Sequence, residues 1–332
     1  MRVLHITNAY PTRQNKAHPT YGIFIKEQID SLANRGIDCK IIYINAMIYG
    51  ISQYIKKVPA IIKESRDCDI IHCHHTYTSF VTHFLACPKP PIVTSFLCPR
   101  GKEGRNDKFS RLKALIFDYV QKKSICFIDK GNPDCERQYP GKGFYVPNGV
   151  DLDFFREIPR ELCWKKLNLS PKKYLLFCSS GTITRHAKRY DLFKKTFHII
   201  SQKSGYDIDE LLLVGHERPM VSYFFNAASV HLLTSDFEGS PNSIKEALAC
   251  NVPVVATDVG NTRHMLKNVE GCFVSDSNNP EDLACLVMKA MEYDRIKGRD
   301  ALRRLHLDTV SVADRIIELY KHAIQLSARH AP

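Results

Sequence analysis

The chain is 332 residues long, which at roughly 100–200 residues per domain implies two domains or one large one. Its 44% hydrophobic and 25% charged residues, with 16 Gly and 17 Pro, exclude collagen-like, low-complexity and disordered classes. Lys and Arg number 47 against 35 Asp and Glu, and the excess lies mainly in residues 1–150, where 22 basic side chains face 12 acidic ones. That half calls for an anionic partner, and without an RNP1 signature, zinc-finger spacing or an Arg-rich arm, nucleic acid is not that partner.

In chain order, short apolar β-branched runs predict strands at 3–7, 41–44, 70–72, 92–96 and 125–128, then at 174–178, 211–214, 230–233 and 254–257. Helix-like stretches separate them, and strands alternating with helices imply parallel sheets built from right-handed crossovers. Gly22 precedes Phe24, Ile25, Ile29 and Leu32 at helical spacing, and Gly36 closes that helix. Val312, Ile316, Leu319, Tyr320 and Ala323 mark a final amphipathic helix, whose docking the sequence leaves open. Turn-formers at Pro147-Asn148-Gly149 divide the chain into domains 1–150 and 151–310, with 311–332 a terminal helix able to cross the hinge.

Twelve cysteines at irregular spacings, never as C-x-x-C, read as reduced thiols. The first residues lack the apolar run of a signal peptide, and no segment reaches the roughly 18 apolar residues of a membrane span. The expectation is a cytoplasmic protein whose membrane contact, at the inner face of the cell membrane, is peripheral.

The most informative segment runs from Ser235 to Cys250. Ser240 is a good N-cap and Pro241 a good first helical residue. The free amides at Asn242 and Ser243, at the positive end of the helix dipole, suit a phosphate. Glu246, further along the helix, can accept two hydrogen bonds from a ribose diol, and Glu238, before the helix, can reach a sugar ring.

Glu238 and Glu246 form an E-x7-E pattern within Phe237-Glu238-Gly239-Ser240-Pro241-Asn242, followed by Pro253-Val254-Val255-Ala256-Thr257-Asp258-Val259-Gly260. With Val146-Pro147-Asn148-Gly149-Val150-Asp151 and Phe154, and with Tyr10-Pro11, Gly22 and Phe24 after the first strand, this resembles the retaining glycosyltransferases of family 4. The resemblance implies the GT-B fold, two Rossmann-like parallel-sheet domains facing across a cleft. The first would take the acceptor and the second a nucleotide-sugar donor. Glu246 would bind ribose, Glu238 the transferring sugar, and Gly22 would lie in a glycine loop facing the cleft. Lys188 and Arg185, in the stretch 181–189, would stand near the diphosphate and neutralise the departing nucleotide. The sequence departs from the family at Thr182, where an Arg is common, and at Leu97, where many members carry a His.

His72-Cys73-His74-His75 follows the third strand at the edge where α/β sheets place ligands. A third metal ligand of suitable spacing is not evident; His72 reads as structural, and His74 or His75 as lining the cleft, with His74 the catalytic candidate. The D-x-D pairs Asp67/Asp69, Asp151/Asp153 and Asp207/Asp209 read as loops and caps, so no metal or other cofactor is expected. Neither a G-x-G-x-x-G after the first strand nor a P-loop is present. Within 100–123, eight basic residues oppose three acidic ones, and Phe109, Leu112, Leu115, Ile116, Tyr119 and Val120 form a helical stripe. The stripe is expected on the sheet, and the basic loop and flank against an anionic membrane.

The whole points to transfer of a hexose-type sugar from a UDP- or GDP-sugar to a glycan or lipid-linked acceptor, in bacterial surface polysaccharide synthesis. A sugar-nucleotide epimerase or phosphorylase of the same fold, or an inactive binding subunit, are the alternatives.

Overall fold

The computed structural model describes residues 1–12, 14, 20–100, 110–179 and 182–329. Those within 1–14, 21–149 and 310–329 form one compact unit, and Thr20 with those within 150–309 a second.

The first unit holds a six-stranded parallel sheet of β1 (Arg2–Thr7), β2 (Asp38–Tyr43), β3 (Ile70–His74), β4 (Ile92–Phe96), β5 (Cys126–Asp129) and β6 (Gly143–Phe144), in the order β2-β1-β3-β4-β5-β6. Its central strands are buried on both faces, so apolar residues stand at successive positions, as in Val3-Leu4, Ile70-Ile71 and Ile92-Val93. Alternate residues serve the two faces: Val3, Ile70, Val93 and Ile128 join one core cluster, and Leu4, Ile6, Ile71 and Cys73 another. On the first of these faces lies the helix Thr309–Arg329, which buries Val312, Ile316, Leu319, Tyr320 and Ala323. The helix Ile23–Asn34 starts after Gly22, whose φ of 79° is left-handed and whose Cβ would stand 2.2 Å from the Ala9 carbonyl carbon. Only glycine fits there.

The second unit repeats the scheme with β7 (Lys173–Ser179), β8 (Ile208–Val214), β9 (Val230–Leu233), β10 (Val254–Thr257) and β11 (Phe273–Ser275), all parallel, in the order β11-β10-β9-β7-β8. The helices Tyr190–Lys203 and Pro280–Ala290 cover one face, and Arg218–Ala227 and Asn242–Ala249 the other.

The differences from the sequence reading lie at sheet edges. β2 begins three residues earlier than expected, since Asp38-Cys39-Lys40 sits half-exposed on an edge strand and shows no apolar run. β6 and β11 were not foreseen, because two or three residues carry no period. Of the basic segment 100–123, residues 101–109, including Phe109 of the expected stripe, lie outside the described residues. The helix Ser110–Lys123 buries Phe117 and Val120, whereas Leu112 and Leu115 are exposed. The expectation that these two pack on the sheet is therefore corrected: the buried face is turned toward Phe96 and Phe127, with Phe117 stacked on Phe96 at 4.0 Å.

Candidate functional site

In the second sheet the chain passes from β7 to β8 on one side and returns to β9 on the other. The loops leaving β7 and β9 thus part at the carboxyl edge, the crevice where open parallel sheets bind ligands. Hydrogen bonds sew the two loops together. Thr234 Oγ1 donates to the carbonyls of Lys188 (2.8 Å) and Arg189 (3.1 Å), and the Asp236 amide donates to the Ala187 carbonyl (2.9 Å). Arg189 reaches across to Asp236 as well, at 2.9 Å.

This arrangement brings two expected residues into contact. Lys188 Nζ lies 2.6 Å from Glu238 Oε1, with the side chains 14% and 19% exposed. Ser235 Oγ donates to the same oxygen at 2.8 Å. Burial alone would raise the Glu238 carboxyl, but the Lys188 charge and hydrogen bond, the Ser235 hydroxyl and the charge of Arg185 together hold it below its usual range. Glu238 is thereby an ionised acceptor at neutral pH, with Oε2 unpaired among the described residues. Arg185 is exposed, one turn before Lys188.

The helix after β9 runs Asn242–Ala249 and begins without a side-chain cap. Pro241, not Ser240, holds the N-cap position, which corrects the expected cap. Ser240 Oγ instead accepts from Lys245 Nζ (3.1 Å) and Asn261 Nδ2 (3.0 Å). Lys245 is 1% exposed, so its amine sits buried close beneath the helix tip. The Asn261 amide donates to the Gly239 carbonyl at 3.2 Å, and at Gly260, with φ 56°, a Cβ would stand 2.0 Å from that carbonyl oxygen.

Ser243 has a fixed role for its hydroxyl. His231 on β9 sets Nδ1 3.2 Å from the Leu176 carbonyl, which can only accept, so that nitrogen carries the proton. Nε2 is then the acceptor, and Ser243 Oγ, 3.0 Å away, donates to it. Burial lowers His231 to about 4, so this tautomer persists at neutral pH. Ser243 has only its backbone amide left to donate to a ligand.

Glu246 stands one turn further along, 2.6 Å from Arg218 Nη1, both side chains largely buried. Arg218 opens the helix that follows β8 and lies 4.7 Å over the Phe155 ring. Sequence reasoning missed it, although an Arg just before Pro219 at the carboxyl edge of a strand was a usable signal. Ser235, His231, Lys245 and Asn261 were missed as well, since each acts through a partner distant in sequence.

The first unit departs from expectation. His74 is fully buried, with Nε2 3.0 Å from His5 Nδ1 and its ring stacked on His72 at 4.1 Å. The expectation that His74 lines the cleft as a catalytic residue is corrected, because a fully buried side chain offers no surface to a ligand. His72 holds the Tyr320 hydroxyl at 2.6 Å and the Ser95 hydroxyl at 2.8 Å. The third histidine missed from the sequence is His5, facing His72 across the β1–β3 register. His5, His72 and His74 bring nitrogens within 4.8 Å of one another. The set is poor for a cation all the same, since His72 has committed both nitrogens and burial disfavours positive charge at His72 and His74. His75 is the partly exposed member: its φ of 108° is strained for a side-chain-bearing residue, and its Nδ1 accepts from the Tyr77 amide at 3.3 Å. Gly22 meets the Ala9–Tyr10 backbone, a packing reason for glycine.

Residues 208–292 match the family model described as Glycosyl transferases group 1, a stretch that contains Arg218, Glu238 and Glu246. A D-inositol 3-phosphate glycosyltransferase of Thermomonospora curvata is 28% identical over 110 residues, 32% of this chain and 26% of that protein's length, so only about a quarter of the relative is matched. Among solved structures, the sucrose-phosphate synthase of Thermosynechococcus elongatus superposes with a TM-score of 0.75 at 14% identity, over 99% of this chain and 100% of that one. HepE of Anabaena in complex with UDP-glucose gives 0.65 at 15% identity, over 97% and 99%. The chain has the GT-B fold, and its second unit carries a segment of the glycosyl transferases group 1 type.

Proposed function

We propose that this protein is a glycosyltransferase that moves a hexose-type sugar from a UDP- or GDP-sugar to a glycan or lipid-linked acceptor, with retention of anomeric configuration, in bacterial surface polysaccharide synthesis. The observation that carries the reading is the pair of carboxylates on either side of one helix tip, Glu238 held by Lys188 and Glu246 held by Arg218. The HepE structure with UDP-glucose supports the donor class by analogy.

In this reading the amides of Asn242 and Ser243 take the donor's diphosphate at the positive end of the helix. Glu238 is kept ionised, so it accepts hydroxyl hydrogen bonds from the sugar and does not serve as proton donor at neutral pH. Lys188 shifts part of its interaction from Glu238 to the leaving diphosphate as charge builds there. Glu246, oriented by Arg218, accepts from the ribose diol. No side chain of this set is placed as a nucleophile, and positioning with leaving-group stabilisation supplies the rate.

The test is calorimetric titration with UDP- and GDP-sugars, followed by incubation of the preferred donor with and without acceptor glycans. Donor binding and acceptor-dependent release of nucleoside diphosphate are expected. Binding of no sugar nucleotide would refute the reading, and conversion of the donor to an isomer without acceptor would replace it with an epimerase.

A further inference from the structure

The helical layer on one face of the first sheet is apolar outside as well as inside. Along Ser52–Lys56 and Val58–Ser65, Tyr54 and Ile61 turn inward to the cluster of Leu4, Ile6 and Ile71, and Tyr54 accepts a hydrogen bond from Asn8 Nδ2 at 2.8 Å. The opposite stripe reads Ile51, 81% exposed, Ile55, 67% exposed, and Ile62, with Met47, Ile48 and Tyr49 exposed on the preceding turn. A helix face meeting only water carries polar residues at such positions.

Charge selects what meets this stripe. From 46 to 66 the basic residues Lys56, Lys57, Lys63 and Arg66 oppose one acidic residue, Glu64, which is already paired with Lys40 at 2.9 Å. The same layer continues into the helix Ser110–Lys123, where Leu112 and Leu115 are exposed and Arg111, Lys122 and Lys123 repeat the pattern. A cavity of about 310 Å³, lined by Ile41, Tyr49, Gln53 and Lys57, opens beside the stripe with a lysine as its charged group. Isoleucines rimmed by lysines, whose stems lie along apolar matter while the ammonium stays wet, match the acyl boundary and phosphates of an anionic bilayer.

We propose that this face docks on an anionic lipid bilayer, with Ile51 and Ile55 entering the acyl boundary and Lys56 and Lys57 meeting headgroup phosphates. The inference does not rest on the proposed activity. Sedimentation of the full chain with phosphatidylcholine vesicles, with and without phosphatidylglycerol, tests it. Binding is expected with phosphatidylglycerol and falls about tenfold or more for I51S/I55S, and likewise for K56E/K57E. Ile51, Ile55 and Lys56 are exposed and Lys57 half-buried, so melting temperatures are measured alongside, and K56E alone serves as the charge variant where K56E/K57E is destabilised. The proposal is overturned if the wild type stays in the supernatant with anionic vesicles at low salt, if neutral vesicles bind it equally, if I51S/I55S binds like the wild type, or if the chain is a dimer in solution that I51S/I55S separates, which would make a second copy the occupant.

Discussion

Arg218 Nη1 and Glu246 Oε1 lie 2.6 Å apart, joining the first residue of one helix to the middle of the next, 28 positions on. The carboxylate proposed to bind ribose is therefore held in place by its partner in the free protein.

Removing either partner has a different signature. Glu246→Ala is expected to weaken nucleotide-sugar binding by about tenfold or more, through loss of a charge-assisted acceptor worth about 1.5–3 kcal/mol. Arg218→Ala leaves a largely buried carboxylate unpaired and lowers stability as well as affinity. Calorimetry and thermal unfolding of the two variants check this; unchanged donor affinity in Glu246→Ala would remove its assigned role.

Lys188→Ala is expected to lower kcat by about 10²–10³ with a smaller effect on KM, as for loss of one group aimed at developing charge. Without Lys188, burial becomes the stronger influence on Glu238 and its pKa rises. The carboxylate then protonates at a higher pH, so the acid limb of the pH–rate profile moves upward. A profile that keeps its position while kcat falls would separate Lys188 from Glu238.

The buried cluster of His5, His72 and His74 makes acid stability steep. Burial lowers His5 to about 3 and His72 and His74 well below 6.5, so between about pH 6.5 and 3 the unfolded chain binds protons that the folded one refuses. Stability therefore falls as pH drops through that window, by up to ~1.4 kcal/mol per pH unit for each histidine. Replacing both partners of the His5–His74 bond, as H5L/H74L, is expected to flatten the slope. Urea unfolding at a series of pH values measures it, and an unaltered slope would assign the acid sensitivity elsewhere.

Gly260→Ala places a Cβ 2.0 Å from the Gly239 carbonyl oxygen at a left-handed φ of 56°. Gly205→Ala carries a similar φ of 67° with nothing within 4 Å, and so isolates the backbone cost of about 1 kcal/mol. The larger loss of melting temperature, together with weaker donor binding, is expected only at Gly260, because Gly239 and the neighbouring Glu238 must shift. Equal losses at the two positions would show that the close approach is without consequence.

The local chemistry of the second unit was readable before the fold was known. The apolar runs at 230–233 and 254–257 become β9 and β10 with those bounds, and the turn residues before Asn242 do start a helix there, one position later than expected because Pro241 takes the cap. Such signals are read within a few neighbours, and a period or a proline acts at that range. The first unit was less legible: the same apolar spacing that marked a stripe at 109–120 could not say that Leu112 and Leu115 face outward, and the strand edge that recommended His74 could not say that it would be enclosed.

What the sequence by itself determined is the alternation of strands and helices, the glycine entry to the helix Ile23–Asn34 and the two carboxylates with seven residues between them around a helix start. Tertiary structure alone decided which charges neutralise which, Lys188 with Glu238 and Arg218 with Glu246, as well as the burial of His74 and the seat of the last helix on the first sheet. The reason is that strand order brings together loops separated by tens of residues, and the pKa of Glu238 follows from neighbours that meet only when β7 and β9 lie side by side.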